Sequence, residues 1–421
     1  MPALPLDAEA ARARGAETAL AYAIEAARQA REAGVTPGVE VQSLFLRSLA
    51  DLVDAALAPQ GGDAAFQALV LRAQDALVEE HVRLAAHAAA DARAVRAAVN
   101  AIAHPGKLRH LPPGPPREEL EALHRLGGGG AWRELRVLAT QLSIASIVEH
   151  PALARLERGT TLLAHPGVQR YTALCEQRGP LAGTDAASAQ GRSSARLGAT
   201  AEEATLQAFH AITEWLDARA PAARYRAVGS LRTPRGFPGA VDKAKDEWDA
   251  AILRAGDTAG AEDVVLLAEV KASPAAATPD FSRLMRGLQR LAHADPHAHY
   301  DFAAADGEVR IAGASLRGLL PQRQGLPLHV VYCCSAEPET RPAMLSAATR
   351  AVLLAEPASL AFAALRLRGE SAAPDLLLPA WDALATAPRL RSALHQYQTA
   401  TAVRDAMLHP DDLLATLRAQ G

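Results

Sequence analysis

Apolar residues recur at three- and four-residue steps through the first two-fifths of the chain. Val41, Leu44, Leu46, Leu49, Leu52, Val53 and Leu57 trace one face of an amphipathic helix. Similar patterns run from Phe66 to Ile102, from Arg117 to Leu126 and from Trp132 to Val148. They are broken by turn chemistry at Pro59 to Gly62, Pro112 to Pro116 and Gly127 to Gly130. No repeat of fixed period emerges, so the pattern predicts an all-helical domain rather than a solenoid.

The texture changes after Gly179. Residues 179–198 are rich in Gly, Ser, Ala and Thr without an apolar period, which predicts a linker. A helix follows from Thr200 to Arg219, with Leu206, Phe209, Ile212 and Leu216 on one face. Strand patterns then cover Tyr225 to Leu231, Glu247 to Leu253, Val264 to Lys271 and Leu328 to Cys334. Helical patterns cover Pro279 to Ala292 and Arg341 to Leu354. The order α-β-β-β-α-β-α predicts an α/β core. The expected organisation is an all-α domain over 1–178, a linker over 179–198, the α/β core over 199–370 and a C-terminal helical appendage over 371–421.

Composition narrows the classes. With 421 residues, 49% hydrophobic and 22% charged, the chain is neither low-complexity nor charge-rich and disordered. A net charge of -3 excludes a globally basic nucleic-acid binder and leaves room for a local basic groove. Cys175, Cys333 and Cys334 are too few for a disulfide framework and read as small buried hydrophobes. The first 30 residues lack the basic start and apolar block of a secretory signal, and no apolar run reaches a membrane span. A cytoplasmic protein without membrane attachment is expected.

Lysine is the informative residue. Alanine makes up about a quarter of the chain and arginine supplies nearly all the basic charge. The four lysines are Lys107, Lys243, Lys245 and Lys271, and three of them fall between Val241 and Lys271. A lysine kept against such a bias is one whose compact ammonium is needed, for instance beside a metal's water shell. Lys243 and Lys245 read as facing solvent or phosphate, and Lys271 as the chemical one.

Lys271 ends a segment with a specific geometry. The runs Glu247 to Leu253 and Val264 to Lys271 flank a loop containing Gly256, Asp257 and Gly260, which predicts a β-hairpin. Alternation puts Glu269 and Lys271 on one face. A hairpin symmetric about residue 259 places Asp249 directly across from Glu269, with Cβ atoms about 4.5–5.5 Å apart. Two carboxylates so close repel unless a cation lies between them, and such oxygen ligands suit Mg²⁺ or Mn²⁺.

Asp249, an apolar strand, and then Glu269-Val270-Lys271 resemble the PD-(D/E)xK nuclease superfamily, with its restriction-endonuclease-like αβββαβ core. The resemblance covers roughly Leu197 to Leu354 and departs from the family pattern in having Trp248 rather than Pro before the first Asp. It implies that Asp249, Glu269 and the main-chain carbonyl of Val270 hold the divalent metal and that Lys271 orients or activates the attacking water. It also implies a Glu on the first core helix, for which Glu202 is the candidate and Glu203 the reserve. The implied activity is Mg²⁺-dependent hydrolysis of a nucleic-acid phosphodiester, DNA foremost, in repair, restriction or defence. The implied products carry a 5′-phosphate and a 3′-hydroxyl.

Around this motif, Arg283, Arg286 and Arg290 form a basic stripe on a helix read as starting at Thr278 and Pro279. Together with Arg232 and Arg235 in the preceding loop they are candidate phosphate contacts, and Gln289 flanks them. Other constellations are weaker. His293, His297 and His299 fall in a Pro-containing loop, Gly313 to Gly318 misses a nucleophile elbow, and Gly127 to Gly130 lacks the Lys-Ser/Thr of a phosphate loop. The rival expectation is a catalytically inactive nuclease-like scaffold acting through its helical domain. A second copy of the chain and a different protein both stay open as partners of that domain.

Overall fold

A computed structural model of the chain describes residues 3–177, 185–256, 260–321, 325–336 and 343–420. The described chain is mostly helical, with one mixed sheet in its C-terminal half. No single helix among the described residues is long and apolar enough to cross a membrane.

Two compact units divide the chain, and they cut across the expected boundaries. One comprises Met1–Leu52, Leu181–Leu353 and Leu377–Gly421, and the other Val53–Pro180 with Leu354–Leu376. The first 52 residues therefore pack with the sheet's unit rather than with the other helices. Phe45 meets Trp381 at 5.2 Å between ring centroids within this unit. In the helical unit, the long apolar pattern starting at Phe66 is two helices, Ala64–Gln74 and Ala76–Ala103. Asp75 separates them, and its carboxylate accepts from the Leu77 and Val78 N–H groups as an N-cap. The pattern from Trp132 to Val148 likewise splits, with Ser143 at a φ of 54° between Trp132–Gln141 and Ala145–Val148.

The expected linker lies partly outside the described residues. Its remainder belongs to a long helix, Asp185–Arg219. Alanine, arginine and glutamine are strong helix formers, and their abundance outweighs Gly191 and Gly198. The second half of this helix buries Ala201, Thr205, Ala208, Phe209 and Thr213 against the sheet.

Strands β1 (Tyr225–Arg232), β2 (Glu247–Ala255) and β3 (Glu262–Lys271) form an antiparallel meander. β6 (Val330–Cys334) lies parallel beside β3, and the short β7 (Met407–Leu408) lies parallel beside β6. The helix Pro274–Leu291 links β3 towards β6 and covers one sheet face with Phe281, Leu284, Leu288 and Leu291. It starts one turn earlier than the sequence suggests, with Ser273 rather than Thr278 at its cap and Pro279 inside it. The hairpin of β4 (His299–Ala304) and β5 (Gly307–Ala312) is an addition that the sequence reading misses. Its inward positions are few, chiefly Phe302, Val309 and Ile311, while Asp301, Glu308 and Arg310 are exposed. The hairpin joins β1 at Ala303 and β3 at Ile311.

With helices on both faces, Ala250 to Leu253 of β2 and Leu267 to Val270 of β3 are buried, which explains the nearly unbroken apolar sequence there. Cys333 and Cys334 are both buried, and burial pushes the Cys333 thiol up to about 12, as an inert core residue requires. Phe209 anchors the Asp185–Arg219 helix to this sheet and is fully buried. Replacing it with Ala should cost about 3–5 kcal/mol in urea unfolding. A loss below about 1 kcal/mol would contradict this docking.

Candidate active site

Ladder pairs Ala250 with Ala268 and Ala251 with Leu267. The next positions outward are Asp249 and Glu269, so the hairpin keeps the expected symmetry at this end. A register shift occurs only further along, between Ile252 and Leu253. β6 adds Tyr332 beside Glu269 and Cys334 beside Lys271.

Each carboxylate has one oxygen committed to the fold. Asp249 Oδ2 accepts the Val270 N–H at 2.7 Å. Glu269 Oε1 accepts from the Lys271 ammonium at 2.5 Å, and Lys271 also lies 3.4 Å from Asp280 Oδ2. The other two oxygens turn to a single cation. Lys245 Nζ sits 2.5 Å from Glu269 Oε2 and 3.7 Å from Asp249 Oδ1. The contact to Glu269 is a buried ion pair.

Lys245 corrects the expectation that it faces solvent: it is 5% exposed. Its backbone N–H donates to the Arg283 carbonyl at 3.3 Å, pinning the loop after β1 to the Pro274–Leu291 helix. Gly287 permits this approach, since a Cβ there would lie 2.8 Å from Lys245 Cβ and 2.9 Å from its carbonyl oxygen. Lys243, two residues earlier, is exposed with a φ of 51°, and its carbonyl accepts from Arg286 Nε. Ser230 on β1 is another non-glycine residue with positive φ, at 52°, close in the ladder to Asp249.

Electrostatics follow from this packing. Glu269 is 1% exposed. Burial, reinforced by the Asp249 charge, pushes its carboxyl up to about 7 despite Lys245 and Lys271. Burial opposes the charge on Lys271, but Glu269, Asp280 and Asp249 outweigh it and hold the ammonium above its ordinary value. Glu202, on the Asp185–Arg219 helix, stands at the exposed lip. Burial and the charges of Asp249 and Glu247 raise its carboxyl, so it belongs to the same electrostatic cluster. The Tyr332 hydroxyl is buried without a hydrogen-bond partner, and burial, Asp280 and Glu269 push it up.

The candidate arginines separate. Arg283 is exposed on its helix and Arg235 on its loop. Arg232 ends β1 and pairs with Glu247 at 3.0 Å. Arg286 is half-buried on the Lys243 carbonyl. Arg290 does not continue the stripe: it is buried with its guanidinium 5.8 Å from the Phe237 ring centroid. Gln289 is exposed.

Sequence reasoning missed Lys245, Asp280 and Tyr332. The scarcity of lysine already singled out the stretch holding Lys245. Asp280 was hidden by the misplaced helix start, which put it in a first turn where an acid is ordinary.

Glu202, Asp249, Glu269 and Asp280 set four carboxyl groups against the ammonium groups of Lys245 and Lys271. That leaves two uncompensated negative charges when all are ionised, with Glu247 offset by Arg232. A hard divalent cation fits this donor set, because Mg²⁺ keeps several waters and needs only one or two carboxylates. Among the described residues, no three His, Cys, Asp or Glu side chains converge as a ready-made cage. Comparisons with protein-family models, with curated proteins and with solved structures gave no match.

The raised Glu269 carboxyl has a consequence for stability. Between about pH 4.5 and 7 the folded protein keeps a proton that the unfolded chain has released, so stability falls as pH rises through that window. In metal-free buffer, wild type should lose about 3 kcal/mol relative to Glu269→Gln between pH 4.5 and 8. Urea midpoints of the two proteins across pH measure this, and parallel profiles would contradict it.

Proposed function

We propose that the chain is a metal-dependent nuclease of the PD-(D/E)xK type, hydrolysing phosphodiester bonds of nucleic acid, DNA foremost. The observation that carries this reading is the convergence of Asp249 Oδ1 and Glu269 Oε2 on one cationic point, with the Lys271 ammonium beside it. The element order supports it too: a helix, three antiparallel strands, a covering helix and a parallel fourth strand, with the β4–β5 hairpin as an insertion.

In this reading Asp249, Glu269 and the Val270 carbonyl would hold Mg²⁺ or Mn²⁺, and Glu202 would add its charge to the same cluster. The bound cation supplies polarisation of a phosphoryl oxygen and acidification of water. The Val270 N–H fixes Asp249, so its free oxygen is presented rather than mobile. Lys271, positioned by Glu269 and Asp280, orients the attacking water and stabilises the negative charge that grows on the phosphoryl oxygens. Tyr332 and the sheet exclude solvent behind Glu269. Arg283 and Arg235, exposed on the helix and loop that frame Lys245, supply backbone phosphate contacts.

An inactive scaffold is the rival, favoured by Lys245 lying on both free oxygens. A cleavage assay separates the two. Plasmid, linear duplex, single-stranded DNA and RNA are incubated with Mg²⁺, Mn²⁺ or EDTA. Wild type should cut at least one DNA form only when the cation is present, and Lys271→Ala should slow cutting about 100-fold or more. Unchanged cutting in Lys271→Ala, or none by wild type under any condition, would contradict the proposal.

A further inference from the structure

Lys245 is built into the site with unusual care for a residue that neither the sequence motif nor the proposed chemistry requires. Its backbone is fixed by the Arg283 carbonyl and by the space that Gly287 leaves. Its ammonium is buried and meets the one oxygen of Asp249 and the one oxygen of Glu269 that the fold does not otherwise use. Those are also the two oxygens that a divalent cation needs. Both cations cannot share them, because a second positive charge in a buried site meets strong repulsion.

We propose that Lys245 is the resident cation of this site: it holds Asp249 and Glu269 together in the metal-free protein and gives up Glu269 Oε2 when a divalent ion enters. The inference rests on the nuclease reading and adds a competitor to it. Because the loop is pinned, the exchange is a side-chain movement, with no displacement of strand or helix. Lys271 is not the exchangeable lysine: it meets Glu269 through the other oxygen, Oε1, and has Asp280 3.4 Å away, whereas the two carboxylate oxygens near Lys245 are the ones the ion needs. Lys245 thus sets a threshold: the entering ion must offset the loss of a buried ion pair, and the wild-type site binds metal more weakly than its carboxylates alone would.

The test reads metal binding rather than cleavage. Mn²⁺ is titrated calorimetrically into wild type, Lys245→Met, Lys245→Gln and Glu269→Gln at one pH and ionic strength, alongside melting curves with and without Mn²⁺. Lys245→Met should bind Mn²⁺ about tenfold or more tightly than wild type. It should also melt lower without metal and gain more from saturating Mn²⁺. Lys245→Gln should shift in the same direction and decides the matter if the Met variant does not fold. Equal or weaker binding in the Lys245 variants, with binding lost in Glu269→Gln, would overturn the role of Lys245 and leave the nuclease reading standing. Mn²⁺ binding by none of the four proteins would overturn both.

Discussion

The repulsion between two carboxylates at the end of one hairpin is the constraint on which the site depends. Asp249 and Glu269 face each other because the β2–β3 ladder puts them there, and the burial of Glu269 removes the water that would screen its charge. The structure meets that repulsion in three ways. A backbone N–H takes one oxygen of Asp249, Lys271 takes one oxygen of Glu269, and Lys245 bridges what is left. Even so, Glu269 remains poised near neutral pH. On the proposed reading two lysines do not fully compensate the acids, and a divalent ion taking the place of the Lys245 ammonium supplies the missing charge.

The surrounding fold serves that arrangement. The Asp185–Arg219 helix buries one sheet face and carries Glu202 to the lip, while the Pro274–Leu291 helix buries the other and carries Asp280 to Lys271. The loop between β1 and β2 is tied to the second helix at Lys245, where Gly287 gives up its side chain to close the gap. Function on the proposed reading draws on both helices, three strands and that loop, so small shifts in helix docking alter the charge balance before they alter the fold.

The central hairpin was legible because its constraints are local. Period-two alternation and a Gly-bounded turn were enough to place Asp249 across from Glu269 and Lys271 beside it. The order of the long helix, the three-strand meander, the covering helix and β6 was legible for the same reason, from the switch between helical and strand periods. What the sequence concealed is non-local. The β4–β5 hairpin has too few apolar positions to stand out, and the helix starting at Pro274 overrides the Thr278-Pro279 start signal. The burial of Lys245 depends on a loop meeting a glycine more than 40 residues away. Arg290 obeys the spacing of a surface stripe yet lies against Phe237, because side-chain spacing fixes a face and not what covers it. The unit boundaries were illegible too, since the first 52 residues join the sheet's unit across a long intervening segment.

The most direct test of the account is the position of a bound ion. Anomalous diffraction from crystals grown in saturating Mn²⁺ would locate it. The expected result is a peak coordinated by Asp249 Oδ1 and Glu269 Oε2, with the Lys245 ammonium moved away from Glu269. Diffraction showing no Mn²⁺ at those oxygens, with Lys245 still bridging them, would contradict it.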